Sequence, residues 1–205
     1  MSDLATSKVA AKRKARISDI LDCAEKNFVE KGFHGAGISG IAQDCGISVG
    51  HLYHYFSRKD DLIRAVVERE LDRQEARFEE FETLEPEHIR ADAVEKATMI
   101  ITRNEDPFRT VLNFEILAEA QRNPEIAAIL QRHDERMRNQ FASVLGRAGI
   151  DSPQKRTELI FTIFSGLPAR ALRHPEQEHA ALIEMIGGVL LNILGDEGDC
   201  PVADL

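Results

Sequence analysis

A cluster of ring and cationic side chains in the first third of the chain carries groups suited to recognising a polyanion. Its members are His51, Tyr53, His54, Tyr55 and Lys59. Imidazole and phenol groups donate and accept hydrogen bonds, and a lysine ammonium attracts phosphate as a point charge. This mixture indicates contacts to both the bases and the phosphates of a nucleic acid. Packing against neighbouring helices remains an alternative for His54 and Tyr55, whereas the pattern favours binding for His51 and Lys59.

Two short helices joined by a tight turn are predicted to position this cluster. Ile38, Ile41 and Ala42 recur at helical spacing and would line a buried stripe. Gly46 is typical of a helix end because it adopts left-handed backbone angles at little cost, and Ser48 is a good N-cap for the next helix. A short helix held across another by such a turn is the helix-turn-helix plan, whose second helix enters a DNA major groove.

Two carboxylates in the second half of the chain form the other candidate group. On a helical wheel Glu115 and Glu119 fall on one stripe with Phe108 and Leu112. Buried charges cost several kcal/mol unless they are paired, so these carboxylates either form salt bridges or face a polar cavity or solvent. Three arginines are candidate partners: Arg103, Arg136 and Arg170. The pattern favours a structural salt bridge over a ligand contact.

His133 continues an apolar stripe with Met137 and Phe141 and is expected to face inward. A core histidine and a ligand contact are both consistent with this position. An enzyme that uses Glu115, Glu119 and His133 is the alternative from another functional class. No nucleophile–base spacing, phosphate loop or metal-ligand motif supports that alternative. We predict that the chain is not an enzyme and needs no cofactor or metal.

Charge is distributed unevenly along the 205 residues. Residues 1–60 hold 9 Lys and Arg against 7 Asp and Glu, which gives a net charge of +2. Because the whole chain carries −9, the remaining residues carry −11. The most basic stretch is Lys8, Lys12, Arg13, Lys14 and Arg16. It is typical of an arm that contacts phosphates, while the acidic remainder would repel DNA and orient the molecule on it.

Composition favours an all-helical protein. Leu, Ile and Ala dominate, Trp is absent, and a hydrophobic content of 43% suffices for a core. The apolar run over 185–194 is far shorter than the roughly 20 residues of a membrane span, and no N-terminal segment resembles a signal peptide. We therefore expect a soluble cytoplasmic protein that does not bind membranes.

Three cysteines, Cys23, Cys45 and Cys200, show neither a CxxC motif nor metal-ligand spacing. Cys23 and Cys45 fall within the apolar patterns of the first two predicted helices. A disulfide or a thiol sensor is conceivable there, but the sequence favours small hydrophobic side chains that fill the core.

The chain is predicted to have two folded domains and two disordered ends. Residues 1–12 form a basic arm, 13–60 the helix-turn-helix domain, 61–195 a second helical domain, and 196–205 a tail. Ser57 to Asp60 resembles a capping box that opens a long fourth helix, and Ser152 is expected to cap a later one. Further helices are predicted over 87–104, 107–122, 124–145, 153–173 and 175–194.

The last two predicted helices carry regular apolar stripes that indicate a homodimer. A terminal helix with so regular a seam is either part of the core or a surface for a partner. The predicted interface set is Ile160, Phe164, Leu167, Leu182, Met185, Ile186, Val189, Leu190 and Ile193.

Residues 13–65 resemble the DNA-binding domain of the tetracycline-repressor (TetR) family of bacterial regulators. The residues that carry the resemblance are Ile20, Leu21, Ala24, Phe28, Gly32, Phe33, Ile41, Ala42, Gly46, Ile47, Ser48, Gly50, Leu52, Tyr53, Tyr55, Phe56, Lys59 and Leu62. The family commonly has Thr or Ser at the positions of Ala36 and Gly37. The second helix therefore lacks its usual hydroxyl cap, and Ser39 could replace the associated phosphate contact.

The resemblance implies a ligand-responsive regulator, most simply a repressor that binds a palindromic operator as a dimer and is released by a small molecule. The implied DNA contacts are Lys14, Ser39, Ser48, Val49, Gly50, His51, Tyr53, His54, Tyr55 and Lys59. The predicted effector contacts are Phe108, Leu112, Glu115, Glu119, His133, Met137, Phe141 and Phe164. A constitutive DNA-binding protein without an effector remains an alternative.

Overall fold

The computed structural model describes residues 2–82, 106–174 and 179–195, and the regular structure in these ranges is helical. The helices are α1 (Ser2–Gly35), α2 (Ile38–Asp44), α3 (Val49–Tyr55), α4 (Lys59–Glu82), α5 (Pro107–Ala120), α6 (Pro124–Arg147), α7 (Pro153–Arg173) and α8 (His179–Ile193). The predicted all-α fold is confirmed. The predicted helix over 87–104, the tail over 196–205 and Cys200 lie outside the described residues.

The chain forms two compact units whose boundaries differ from the predicted domains. Unit one comprises Met1–Asp72 and Val111–Ile129, and unit two comprises Arg73–Thr110 and Leu130–Leu205. The first half of α4 belongs to unit one because Leu62, Val66 and Val67 are fully buried there. Unit one therefore extends beyond residue 60 and includes a segment from the middle of the chain.

Helix α1 carries an apolar stripe at helical spacing. Ile20, Leu21, Ala24 and Phe28 are buried, and the Phe28 ring packs edge-on against Phe33 with centroids 4.7 Å apart. The helix begins at Ser2 rather than near residue 13, so the segment predicted as a disordered arm is helical. Its alanines and lysines explain this difference, since both residue types favour helix even where the surface is exposed.

The turn between α2 and α3 has the predicted geometry. Gly46 adopts φ +63°, its N–H donates to the Gln43 carbonyl at 3.0 Å, and the Ile47 N–H donates to the Ala42 carbonyl at 3.0 Å. These two bonds form a Schellman motif, which satisfies the last carbonyls of α2. The Ser48 hydroxyl then accepts a hydrogen bond from the His51 N–H at 3.1 Å and caps α3.

Two of the predicted helix caps are wrong. At the N-terminus of α4 the Arg58 N–H donates to Asp61 Oδ2 at 3.0 Å. The acidic residue of the capping box is therefore Asp61 rather than the predicted Asp60. Ser152 adopts left-handed angles (φ 50°, ψ 48°) and makes no side-chain cap bond to α7. Its hydroxyl cannot reach the first-turn N–H groups from that conformation, because an N-cap residue requires extended backbone angles.

The core of unit two joins the ends of α6, α7 and α8. Val144, Leu145, Ile150, Ile160, Ile186, Leu190, Ile193 and Leu194 form its buried cluster. Arg156 is buried beside this cluster and donates to the carbonyls of Asp151 (2.6 Å), Gly195 (2.9 Å) and Ile193. A guanidinium that satisfies carbonyls at the end of a helix also meets the negative end of the helix dipole.

Replacing Arg156 is expected to destabilise unit two. Arg156→Met keeps most of the side-chain volume but leaves the buried carbonyls without their donor, which costs about 2–4 kcal/mol. Urea denaturation followed by circular dichroism measures this loss. Arg156→Lys is the matched control, since an ammonium group can still reach one carbonyl and is expected to lose less. A methionine variant as stable as the parent would contradict this role.

Candidate nucleic-acid interface

One face of α3 is buried and the other presents the predicted recognition side chains. Leu52 and, just after the helix, Phe56 are buried, as the sequence predicts. His51, Tyr53 and His54 are exposed, and Tyr55 is half-buried. The helix is therefore held by its apolar residues while its histidines and Tyr53 face away from the core.

The rings of this face contact one another. The Tyr55 ring lies edge-on to both His51 and His54, with centroid distances of 5.4 Å in each case. The guanidinium carbon of Arg13 lies 5.3 Å from the centroid of the Tyr55 ring, a cation–π distance. Tyr55 thus joins the two histidines to α1 and has a packing role. Arg13 is not among the predicted DNA contacts. The basic stretch that contains it nevertheless indicated contacts with phosphates.

Four other predicted contact residues occupy accessible positions. Lys14, Ser39, Ser48 and Gly50 are exposed, and Val49 at the start of α3 is half-buried. A Cβ atom added at Gly50 would meet nothing within 4 Å, so packing within the chain does not require glycine there. An external surface that approaches the backbone closely would explain the glycine. Gly37 caps α2 without a side-chain bond, as its sequence predicts.

Lys59 is engaged within the protein. Its Nζ atom donates to the main-chain carbonyl of His34 at 3.2 Å, and the side chain is half-buried. This contact connects the start of α4 to the end of α1. Lys59 therefore has a positioning role that the sequence did not predict, and a phosphate contact would come in addition to it.

A buried asparagine fixes the helix-turn-helix on α1. Asn27 Nδ2 donates to the Cys23 carbonyl at 3.0 Å and to Asp44 Oδ2 at 2.8 Å, and Asn27 Oδ1 accepts from Lys31 Nζ at 2.8 Å. A fully buried amide with all these partners rigidifies its surroundings. It was missed because its main partner, Asp44, lies 17 residues further along the chain.

Glu115 and Glu119 contact the end of α1 rather than an arginine. Glu115 Oε2 accepts a hydrogen bond from the Phe33 N–H at 3.1 Å, and Glu119 Oε2 lies 3.0 Å from His34 Nε2. A structural role therefore fits both carboxylates, and neither of these two contacts involves a predicted arginine. Arg136 pairs instead with Glu75 at 3.3 Å, and Arg103 lies outside the described residues.

Gly32 makes this contact possible. It adopts φ +73°, and a Cβ atom placed on it would lie 3.2 Å from Glu115 Oε2. Both the backbone angle and the close approach favour glycine at this position. The carboxylates of α5 thus hold the non-helical turn that leads from α1 into α2.

The predicted effector contacts are divided between the two units. Leu112, Glu115 and Glu119 belong to unit one, where Leu112 is fully buried. In unit two, His133 and Met137 are buried on α6. The Phe141 ring lies 5.9 Å from Phe78 and 5.7 Å from Phe161. Phe108 and Phe164 are half-buried. The carboxylates are thus occupied by α1, and only the unit-two residues remain in our proposed effector set.

The predicted dimer residues also divide into two groups. Ile160, Ile186, Leu190 and Ile193 are buried within the single chain, and Phe164, Leu167 and Leu182 are partly buried against the same cluster. These side chains already form the protomer core and offer little area to a partner. Met185 and Val189 keep 70% and 46% of their surface exposed on the adjoining face of α8. We retain these two as the interface prediction.

A capped recognition helix held across a second helix by a Schellman turn, with polar rings exposed along it, defines a helix-turn-helix DNA-binding protein. Residues 20–66 match the model for bacterial regulatory proteins of the tetR family, and residues 89–192 match the tetracyclin repressor-like C-terminal domain. The chain belongs to the tetR family. It is a ligand-responsive DNA-binding transcriptional regulator, and the enzyme and constitutive-binder alternatives are not favoured.

Relatives of known class support this assignment. The transcriptional regulator UidR of Escherichia coli is 32% identical over 185 residues, which cover 83% of this chain and 91% of UidR. The structure of Salmonella enterica GusR is 25% identical with a TM-score of 0.68, over 86% of this chain and 95% of GusR. Bacillus subtilis FadR in complex with stearoyl-CoA shares the fold at 21% identity, with a TM-score of 0.66 over 85% and 97% of the two chains.

The described helices contain neither a membrane span nor a metal cluster. Within these ranges no helix combines the length and apolar content needed to cross a bilayer. No group of three or more His, Cys, Asp or Glu side chains in the same ranges is arranged to hold a metal ion.

Proposed function

We propose that this regulator is a homodimeric repressor that binds a palindromic operator and is released by a small molecule. The observation that carries the proposal is the exposed face of α3, where His51, Tyr53 and His54 project away from a helix fixed by Leu52. In a two-fold dimer the two α3 helices would enter successive major grooves about 34–36 Å apart. His51, Val49 and Gly50 lie at the N-terminal end of α3, which is the end that contacts bases in this motif.

The basic part of α1 supports the phosphate contacts. Lys8, Lys12 and Lys14 are exposed along one continuous helix that leads to the recognition unit. Lysines on a helix that lies beside the duplex would neutralise phosphates without reading sequence. We place Arg13 with them, because its guanidinium lies over Tyr55 and so at the edge of α3. The regulator would act in the cytoplasm, where its operator lies.

The effector is proposed to bind in unit two. Buried His133 and Met137, together with the rings of Phe141 and Phe164, provide apolar surface with a polar group, which is typical of small-molecule sites. Phe108 lies near the start of α5, the helix that continues into unit one and carries Glu115 and Glu119. A ligand that displaced α5 would alter its contacts with the turn at Gly32. Because the FadR structure holds stearoyl-CoA, acyl-CoA thioesters are the first class of compound to test.

Substitutions that separate base contacts from phosphate contacts test the DNA-binding face. A duplex selected from a random pool by the wild-type protein serves as operator, and a scrambled duplex serves as reference. Lys14→Ala is expected to lower the affinity for both duplexes and to reduce the slope of log K against log salt by about one unit. His51→Ala is expected to lower the affinity for the operator about tenfold and to change the affinity for the scrambled duplex little. Equal losses on both duplexes for His51→Ala would overturn this assignment.

A further inference from the structure

The two cysteines of unit one are neighbours across the packing of α1 against α2. Cys23 lies within α1, and Cys45 is the C-cap residue of α2, directly before the turn at Gly46. The thiol of Cys45 faces the turn of α1 that leads to Cys23, four residues after Asp19. Cys45 Sγ lies 3.9 Å from the carbonyl oxygens of Asp19 and Ile20. Both thiols are free, and both residues are partly exposed, so a small oxidant can reach them.

We propose that Cys23 and Cys45 form a reversible disulfide when the protein meets a peroxide, and that this disulfide weakens operator binding. The pair joins the two elements that set the position of the recognition helix, which distinguishes it from two cysteines that merely fill the core. This inference extends the DNA-binding function and does not depend on the proposed effector site.

The reaction requires only the two thiols and the peroxide. The Cys23 sulfur attacks one peroxide oxygen, the O–O bond breaks, and water leaves to give a sulfenic acid on Cys23. The Cys45 sulfur then attacks the Cys23 sulfur, the S–O bond breaks, and the Cys45 proton leaves with the hydroxyl as a second water. Two thiols lose two electrons in total, and one hydrogen peroxide is reduced to two waters.

The surroundings of Cys45 assign the two roles. Burial, with a smaller effect of the neighbouring Cys23, raises the pKa of the Cys45 thiol to about 12. Cys45 therefore stays protonated at neutral pH, which leaves Cys23 as the sulfur that reacts first.

Closing the disulfide would move the helix-turn-helix. Sulfur atoms in a disulfide are roughly 2 Å apart, which is much closer than two thiols that are not bonded. Cys45 must therefore shift towards α1, and the Schellman turn and the Ser48 cap follow it directly in the chain. Hydrogen bonds weaken steeply with distance and angle, so base contacts made by a displaced α3 are expected to lose about tenfold in affinity.

The test uses the full chain with Cys200→Ser, so that only Cys23 and Cys45 can react. Hydrogen peroxide treatment should remove two hydrogens from the intact mass and yield a single cross-linked peptide containing both cysteines. Affinity for a duplex selected by the reduced protein should fall about tenfold, and dithiothreitol should restore it. Cys23→Ser and Cys45→Ser, each in the same background, are the matched controls and should lose less than about twofold on treatment.

Three results would overturn the proposal. They are a mass gain from added oxygen without a cross-linked peptide, a disulfide that leaves operator affinity unchanged, and an equal response of the single-cysteine controls. Alanine replacements at the same positions repeat the control should a serine variant fail to fold, as judged by circular dichroism. Failure of all variants to bind DNA before oxidation would instead count against the recognition surface itself.

Discussion

Val189→Asp is expected to convert the regulator into a folded monomer that no longer binds its operator tightly. Val189 is 46% exposed in the single chain, so an aspartate there remains solvated in the monomer and leaves the protomer core intact. In a dimer that buries this face, the same carboxylate would lose its water without a partner, which costs several kcal/mol in each subunit. Analytical ultracentrifugation should show a monomer with unchanged helicity. Operator affinity should fall more than about a hundredfold, since two linked half-sites become one.

Leu191→Asp provides the matched control on the same helix. Leu191 is 49% exposed, which is nearly the exposure of Val189, but it lies about 200° around the helix from it. The two substitutions therefore add the same charge to the same helix at positions of similar exposure. They differ only in the face of the helix on which the charge lies. Leu191→Asp should remain dimeric. A dimeric Val189→Asp protein, or a monomeric Leu191→Asp protein, would place the interface on another face.

The local pattern of the sequence was sufficient to predict the DNA-binding motif. Gly46 and Ser48 specify a turn and a cap within a few residues, and both make the expected hydrogen bonds. Leu52 and the stripe of α1 are buried because helical periodicity reports directly on which face meets the core. These features depend on neighbours in the chain, and the sequence shows such neighbours.

The partners of charged side chains could not be predicted in the same way. Glu115 accepts from the N–H of Phe33, which lies 82 residues away, and a main-chain donor leaves no mark in the sequence. Arg69 similarly binds Glu25 and Asp22 on α1, at 2.7 and 2.8 Å, and holds α4 against it. A wheel diagram identifies the face on which a carboxylate lies, but it does not identify the element that faces it.

The same reasoning explains why the predicted dimer residues divide between the protomer core and an exposed face. The stripe of α8 that contains Ile186, Leu190 and Ile193 is apolar because it packs inside the protomer. Met185 and Val189 lie on the adjoining face, and they were predicted together with the buried residues. Periodicity marks both faces as apolar, and only the packing of α7 and α6 decides which one is already covered.

Glu115→Ala is expected to loosen the turn that leads into the helix-turn-helix. The substitution leaves the Phe33 N–H without its acceptor, a loss of about 1–3 kcal/mol, which corresponds to a fall in Tm of roughly 2–12 °C for a chain of this size. Operator affinity should fall with it, because Gly32 and Phe33 lie at the kink of α1 that precedes α2. Glu115→Gln is the matched control. Its amide oxygen can still accept the bond, so the loss in Tm should be less than about half that of the alanine variant. Calorimetry and operator titration measure the two effects. Should both variants fall equally, the negative charge rather than the acceptor would stabilise the turn, and an unchanged alanine variant would show that α5 does not hold it.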